Sequence, residues 1–171
     1  MKFESKDMEI GIDGLGFALY SPDNTKDIPL ESDFFEDEFM RPQDIERHIK
    51  KGDVVGFCTG TSGDFILKFR EGYPDEKIDE EFPLTIRMGI EVKGGKINVV
   101  DVYWLMEFNP ECPEDQVLYL EDGFYHITLN TKMPDSGIWG DDQVIYLYFN
   151  KIKKMPELSW EGIPMLVEDE Y

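Results

Sequence analysis

The stretch from Phe82 to Phe108 constrains the fold most, because its apolar residues follow the period of a β-strand. In its first half every second residue is apolar, namely Leu84, Ile86, Met88, Ile90 and Val92. This alternation is typical of a half-buried strand. Gly94-Gly95 follows, and two glycines between apolar runs favour a two-residue hairpin turn. The second run changes parity between Val99 and Val100, which predicts a β-bulge. We therefore predict a long, bent antiparallel hairpin that ends at Phe108.

Further apolar runs alternate with turns that are rich in Gly, Pro and Asp. The predicted strands outside the central hairpin are Met8–Ile12, Phe17–Tyr20, Asp53–Cys58, Phe65–Arg70, Val117–Leu120, Tyr125–Leu129 and Val144–Phe149. Two more hairpins are predicted, across residues 59–63 and across residues 121–123, because a short Gly-containing loop separates each pair of strands.

One helix is predicted, from Pro42 to Lys51. Proline suits the first helical position, and Gly52 suits the residue after the end. Together, these elements predict an all-β fold, an antiparallel β-sandwich of about eight strands with one short helix (42–51). A closed barrel is the alternative architecture. We expect residues 1–171 to form a single domain with acidic loops and an acidic C-terminal tail.

The 171 residues show neither a targeting signal nor a cysteine pattern that indicates a particular chemistry. No apolar run approaches the roughly 20 residues of a membrane span, and residues 1–10 lack the apolar core of a signal peptide. The sequence therefore predicts a cytoplasmic protein. Cys58 and Cys112 are the only cysteines, and they are interpreted as unpaired thiols in a reducing compartment.

Acidic residues dominate the charge of the chain, which is -20 in total. Residues 31–38, 71–81 and 157–171 carry sixteen acidic residues and one lysine between them. Such a chain repels nucleic acid and anionic membranes at long range. Its favoured partner would be a basic protein, although the charge could also serve solubility alone.

Catalytic and metal-binding patterns are weak. His48 lies late on the predicted helix and His126 lies in a predicted strand. A Cys58–His126 pair is compatible with nucleophilic catalysis only by residue type. No His/Cys cluster has the spacing of a metal site, so neither a metal nor another cofactor is predicted. An enzyme of unrecognised type stays open and would require His126 to face a carboxylate in a deep pocket.

The acidic loops also carry aromatic residues, which suits partner binding. Charge increases the rate of association and aromatic side chains provide hot spots. Phe34 could instead plug into the core of the domain. The predicted partner-binding residues are Glu31, Asp33, Phe34, Glu36, Asp37, Glu38, Tyr73, Asp75, Glu76, Asp79, Glu80 and Trp160.

The order of several short motifs resembles the bacterial competence nuclease inhibitors and similar small acidic β-sandwich immunity proteins. The motifs are Gly-Phe-Ala-Leu-Tyr-Ser-Pro-Asp at 16–23, Gly-Asp-Val-Val-Gly-Phe at 52–57, Gly-Lys-Ile-Asn-Val-Val at 95–100, Val-Leu-Tyr-Leu at 117–120, the turn through Gly123, and residues 125–129. The likeness spans roughly residues 10–152. It implies a non-catalytic inhibitor that binds a nuclease or another toxin.

The leading hypothesis is therefore an immunity or inhibitor protein that neutralises a basic toxic enzyme, most plausibly a nuclease. We expect a monomer or weak dimer that binds neither nucleic acid nor membrane. The alternative is a β-sandwich that binds a carbohydrate or another small ligand. In that alternative, Trp104, Trp139 or Trp160 would stack on a sugar.

Overall fold

The computed structural model describes residues 3, 5–158 and 163–166, and this part of the chain is mostly β. It contains nine strands, one more than the approximate number predicted. In chain order they are β1 (Lys6–Ile12), β2 (Gly16–Tyr20), β3 (Val54–Cys58), β4 (Gly63–Glu71), β5 (Leu84–Val92), β6 (Lys96–Asp101), β7 (Val117–Tyr119), β8 (Gly123–Thr131) and β9 (Gln143–Ile152).

The strands form two sheets. The larger sheet has the order β1-β4-β9-β8-β5, and the smaller has the order β3-β2-β6-β7. Every ladder is antiparallel except β4–β9, which runs parallel from Phe65 opposite Gln143 to Glu71 opposite Phe149. A parallel pair needs a long connection, and four strands lie between β4 and β9 in the chain.

Short helices occupy several connections. They are α1 (Phe34–Glu38), α2 (Pro42–Lys51) and α3 (Glu76–Glu81), with 3-10 helices at Pro22–Asn24, Val102–Glu107 and Glu114–Gln116. The predicted helix α2 is confirmed with the same bounds. Pro42 is its first residue, and Gly52 ends it in the left-handed conformation with φ of 78°. No helix in the described ranges has the length and apolar character required to cross a membrane.

Apolar residues from both sheets form one shared core. In β2, Phe17 and Leu19 enter this core, whereas Ala18 and Tyr20 point to the opposite face of the smaller sheet. A second core covers that opposite face and includes residues of α1, α2 and the 3-10 helix at Val102–Glu107. The smaller sheet is therefore buried on both faces.

The central hairpin is the main difference between prediction and structure. Gly94 and Gly95 both have positive φ, 77° and 73°, but β5 and β6 belong to different sheets. The parity change marks burial on both faces, because Val99 lies in the shared core and Val100 in the second core. After Asp101 the chain forms a 3-10 helix instead of continuing the strand.

The other two predicted hairpins are wrong for the same reason. Strand β3 lies in the smaller sheet and β4 in the larger one, and β7 and β8 are divided in the same way. Each short loop carries the chain from one sheet to the other. A tight turn shows that two strands lie near each other, but it does not show that they share a ladder.

Candidate functional site

The first acidic cluster surrounds helix α1, which was predicted to be a loop. We define the α1 cluster as Glu31, Asp33, Glu36, Asp37 and Glu38. The side chain of Asp33 caps the helix, since the backbone N–H of Glu36 donates to its Oδ1 at 3.0 Å. Carboxylates in the first turn also interact favourably with the helix dipole. The spacing of Asp33 and Glu36 is a capping signal that the sequence analysis missed.

Phe34 lies in the core instead of on a binding surface. Its side chain is only 2% exposed, and its ring centroid lies 5.0 Å from that of His48 and 5.9 Å from that of Phe39. The partner-binding role predicted for Phe34 is therefore replaced by the alternative of a core plug. The next residue, Phe35, is only partly buried and packs against the second core from outside.

The carboxylates of the α1 cluster differ in their surroundings. Glu38 lies 3.3 Å from the guanidinium of Arg47 and 3.9 Å from Nε2 of His48. Glu36 and Asp37 are exposed. Neither forms an ion pair with any described residue. Their negative charge is therefore available to a partner.

The second acidic cluster surrounds helix α3. We define the α3 cluster as Tyr73, Asp75, Glu76, Asp79 and Glu80. Asp75 caps the helix by accepting the N–H of Ile78 at 2.9 Å. Glu76 and Glu80 are exposed and have no ion-pair partner among residues that the structure describes.

Helix α3 is attached to the larger sheet through polar contacts. The amide of Asn130 on β8 donates to Oδ1 of Asp79 at 3.0 Å. The hydroxyl oxygen of Tyr73 lies 3.1 Å from Nδ1 of His126, also on β8. Burial, and then the charge of Arg87, lower the pKa of His126. His126 therefore contacts a tyrosine. The enzyme hypothesis requires a carboxylate as its partner instead.

The two acidic clusters are attached to different parts of the fold. The α1 cluster packs against the 3-10 helix that follows the smaller sheet, whereas the α3 cluster is attached to the larger sheet. Trp160, the remaining predicted partner-binding residue, lies outside the described residues. The α1 and α3 clusters are therefore separate candidate surfaces.

A buried hydrogen-bonded pair at the end of α2 was not predicted. Nδ1 of His48 lies 2.9 Å from Oδ1 of Asp53, and each residue is 7% exposed. Burial tends to raise the pKa of Asp53, but hydrogen bonds from His48 and the Val54 N–H, with the charge of Lys51, leave it lowered. The feature of the sequence that could have indicated this pair is the position of Asp53 directly after Gly52, which ends the helix.

An apolar groove of about 390 Å³ opens beside α1. It lies where β2 begins and β3 ends, at the pair formed by Gly16 and Cys58. Leu15, Phe35, Tyr103 and Met106 are among its lining residues, with the rings of Phe17 and Phe57. Leu15 is 55% exposed and Met106 is 44% exposed. The groove cannot be read from the sequence, because its walls come from five segments that lie far apart in the chain.

Two other kinds of ligand, a metal ion and a sugar, can be compared with the described residues. In the described ranges, no group of three or more His, Cys, Asp and Glu residues is placed to hold a metal ion. The indole of Trp104, a candidate for sugar stacking, is partly buried and donates its N–H to the carbonyl of Asn109 at 3.1 Å.

No protein-family model matches the chain, and no curated protein matches its sequence. Two solved structures are similar to it. The crocagin biosynthetic gene J protein has a TM-score of 0.53 and 13% identity, over 86% of this chain and 98% of its own, which shows a shared fold. ComJ from Bacillus subtilis, an inhibitor of the DNA-degrading activity of NucA, has a TM-score of 0.49 and 12% identity, over 89% of this chain and 100% of its own. The resemblance to competence nuclease inhibitors is confirmed in that ComJ is a structural neighbour.

Proposed function

We propose that this protein is a non-catalytic immunity or inhibitor protein that binds and neutralises a basic nuclease. A carboxylate-rich surface, around α1 or around α3, contacts the enzyme where it would otherwise bind the phosphates of its substrate. The two sheets form a β-sandwich scaffold within one domain. The chain acts as a monomer or weak dimer without a cofactor.

The observation that carries this proposal is the state of the exposed carboxylates. Glu36, Asp37, Glu76 and Glu80 are exposed and lack ion-pair partners among the described residues, on short helices attached to the two sheets. These carboxylates can bind the lysines and arginines of an enzyme at a small cost in free energy, because no internal ion pair has to be broken first. Long-range attraction between opposite charges then accelerates association.

The sequence resemblance to nuclease inhibitors selects a nuclease among basic enzymes. ComJ is described as an inhibitor of the DNA-degrading activity of NucA, so NucA is a suitable first enzyme to test. The other nucleases to be tested are those encoded in the same genome as this chain.

The proposal is tested by measuring DNA degradation by each purified nuclease with and without an equimolar amount of the full chain. We expect at least one basic nuclease to lose activity, and we expect the inhibition to weaken as salt rises from 50 to 500 mM. The variants E36K/D37K and E76K/E80K reverse only carboxylates without a described ion-pair partner. At least one of them should reduce inhibition by about tenfold or more, which corresponds to about 1.4 kcal/mol of binding free energy.

The control is D64K/D135K, which reverses two exposed carboxylates outside both clusters that have no described ion-pair partner, and makes the same change of net charge. If an acidic cluster contacts the nuclease directly, the control variant should not lose a comparable amount of inhibition. Thermal unfolding of every variant shows whether its fold is intact. If no nuclease is inhibited, or if the control variant loses as much inhibition as the cluster variants, the proposal is wrong.

A further inference from the structure

We propose that the apolar groove beside α1 binds an apolar side chain on a lysine- and arginine-rich segment of the inhibited enzyme. This inference rests on the proposed function and assigns the specific contact to one face of the molecule. The groove would hold the anchor residue, and the α1 cluster would contact the flanking cations. The α3 cluster would then contribute only long-range attraction.

The groove presents large apolar side chains to solvent. Leu15 and Met106 both line the groove, and their exposed fractions are 55% and 44%. Tyr103 is also exposed, and Phe35 is partly buried. Exposed apolar residues are ordinary when scattered, but a cluster around a concave surface is typical of a binding site.

Asp101 connects two walls of the groove. Its carboxylate accepts the N–H of Asp13 at 2.8 Å and that of Gly14 at 3.2 Å, which positions the loop that carries Leu15. The same carboxylate accepts the N–H of Tyr103 at 3.0 Å, at the start of the 3-10 helix. The exposed side chains therefore stand on backbone that is already ordered. A preorganised surface loses less conformational entropy when a partner binds.

Glycines bring this loop close to its neighbours. A Cβ atom on Gly14 would lie 2.4 Å from Oδ1 of Asp101, and one on Gly16 would lie 2.3 Å from the carbonyl oxygen of Phe57. Any larger residue at either position would push the loop away from the sheet. The close approach keeps Leu15 at the mouth of the groove.

The charge around the groove indicates the chemistry of its occupant. For every residue that lines it, the nearest charged residue along the chain is an aspartate or glutamate. Residues 7–25, 27–40, 52–67 and 97–131, which supply nearly all the lining, contain no lysine or arginine. Glu36 directly follows Phe35, and Glu107 directly follows Met106. An apolar anchor flanked by cations matches an apolar lining whose charged neighbours along the chain are acidic.

The α3 cluster lacks such a combination. Cations lie beside both clusters, since Arg47 lies 3.3 Å from Glu38 of the α1 cluster and Lys132 lies 3.9 Å from Glu81 at the end of α3. The described lining of the apolar groove, however, includes Phe35 of α1 and no residue of α3. The two clusters are therefore expected to differ when their charges are reversed.

The inference is tested with an array of fifteen-residue peptides that tile the sequences of the same nucleases. The full chain and its variants L15S/M106S, I138S, E36K/D37K and E76K/E80K are each applied at 150 mM salt. Ile138 is 63% exposed in the loop between β8 and β9 and provides the matched control. We expect the wild-type chain to bind peptides that combine at least three cations with a large apolar residue. L15S/M106S should lose about tenfold or more of that signal, and I138S should lose none.

A second measurement locates the bound peptide. Cys58 lines the groove, whereas Cys112 lies close to Lys96, at the other end of β6 from Asp101. The strongest peptide should slow alkylation of Cys58 at least about fivefold and leave Cys112 unchanged, as read by mass spectrometry. Burial raises the pKa of both thiols, so alkylation is run at pH 8.5.

Three outcomes of the peptide experiments would overturn the groove assignment. One is that L15S/M106S binds every peptide on the array as strongly as the wild-type chain does. Another is equal protection of both cysteines, and the third is equal loss of peptide binding in E36K/D37K and E76K/E80K. The DNA-degradation assay tests the proposed function separately. A nuclease that is inhibited equally by the wild-type chain and by L15S/M106S refutes the groove but not the inhibitor.

Discussion

At the scale of single residues, His48 and Asp53 form a buried pair where helix α2 ends. The Asp53 carboxylate has three described partners: His48, the backbone N–H of Val54 at 2.8 Å, and Lys51 at 3.6 Å. Removing one member of a buried pair leaves the other without its partner, which costs more than the pair itself contributes. The pair therefore fixes the junction between α2 and β3.

The lowered pKa of Asp53 predicts a loss of stability in acid. Because this pKa is lower in the folded protein than the ordinary value of 3.8, the unfolded chain binds more protons as the pH falls below about 5. The contribution of Asp53 is complete above that range and is lost as pH falls through the folded pKa. Urea unfolding at pH values from 2 to 7 should show a shallower acid loss in D53N than in the wild type. At pH 7, D53N should be less stable by about 1–3 kcal/mol.

The D37N variant provides the control, because Asp37 is exposed and lacks an ion-pair partner in the described part of the chain. Its unfolding free energy at pH 7 should stay within about 0.5 kcal/mol of the wild-type value. An acid profile of D53N that parallels the wild-type profile would exclude Asp53 as a source of the pH dependence.

At the scale of elements, Gly52 joins α2 to the larger sheet. Its φ of 78° is unfavourable for residues that carry a Cβ atom, and the N–H of Glu91 on β5 donates to its carbonyl oxygen at 2.9 Å. A Cβ atom here would lie 2.7 Å from Sδ of Met155 and 3.0 Å from the backbone nitrogen of Glu91. We expect G52A to lower the unfolding free energy by about 2 kcal/mol or more, as measured by urea unfolding.

The matched control is G72A. Gly72 also has positive φ, 89°, but a Cβ atom there would meet nothing within 4 Å. This variant should lose only the conformational part, about 1 kcal/mol. Equal losses in G52A and G72A would show that the contacts with Met155 and Glu91 contribute nothing.

The sequence predicted individual strands far better than their pairing. In β1, the alternation of Met8, Ile10 and Ile12 is a local property, and all three residues are buried. Pairing depends on which sheet receives each strand, and no local pattern encodes that choice. The run from Ile97 to Val100 shows the limit, because burial on both faces produced the same parity change as a bulge.

The candidate site was predictable only in part, for a related reason. The acidic segments were evident from composition, but their helices depend on caps at Asp33 and Asp75. The groove was not predictable, because it forms only when the loop at Leu15, helix α1 and the 3-10 helix meet at one end of the smaller sheet. Only the three-dimensional arrangement places these segments together.

At the scale of the whole molecule, the net charge of -20 acts on folding and binding with opposite signs. Repulsion among carboxylates destabilises the compact state, whereas the same carboxylates attract a basic partner. Salt screens both effects, since the Debye length falls from about 30 Å at 0.01 M to about 10 Å at 0.1 M. The isolated protein should therefore become more stable as salt rises, while its complex becomes weaker.

The salt prediction is measured by urea unfolding in 10, 100 and 300 mM NaCl at pH 7. The unfolding free energy of the wild type should rise by about 1 kcal/mol across this series, on the scale of a few screened surface pairs. The variant E36K/D37K/E76K/E80K provides the comparison, because four reversals of two charges each change the net charge from -20 to -12. Its dependence on salt should be smaller. If the unfolding free energy of the wild type stayed constant or fell, the surface charge would not oppose folding. The affinity of the proposed nuclease complex is expected to fall over the same salt range. The two measurements together therefore separate the destabilising effect of this charge on folding from its contribution to binding.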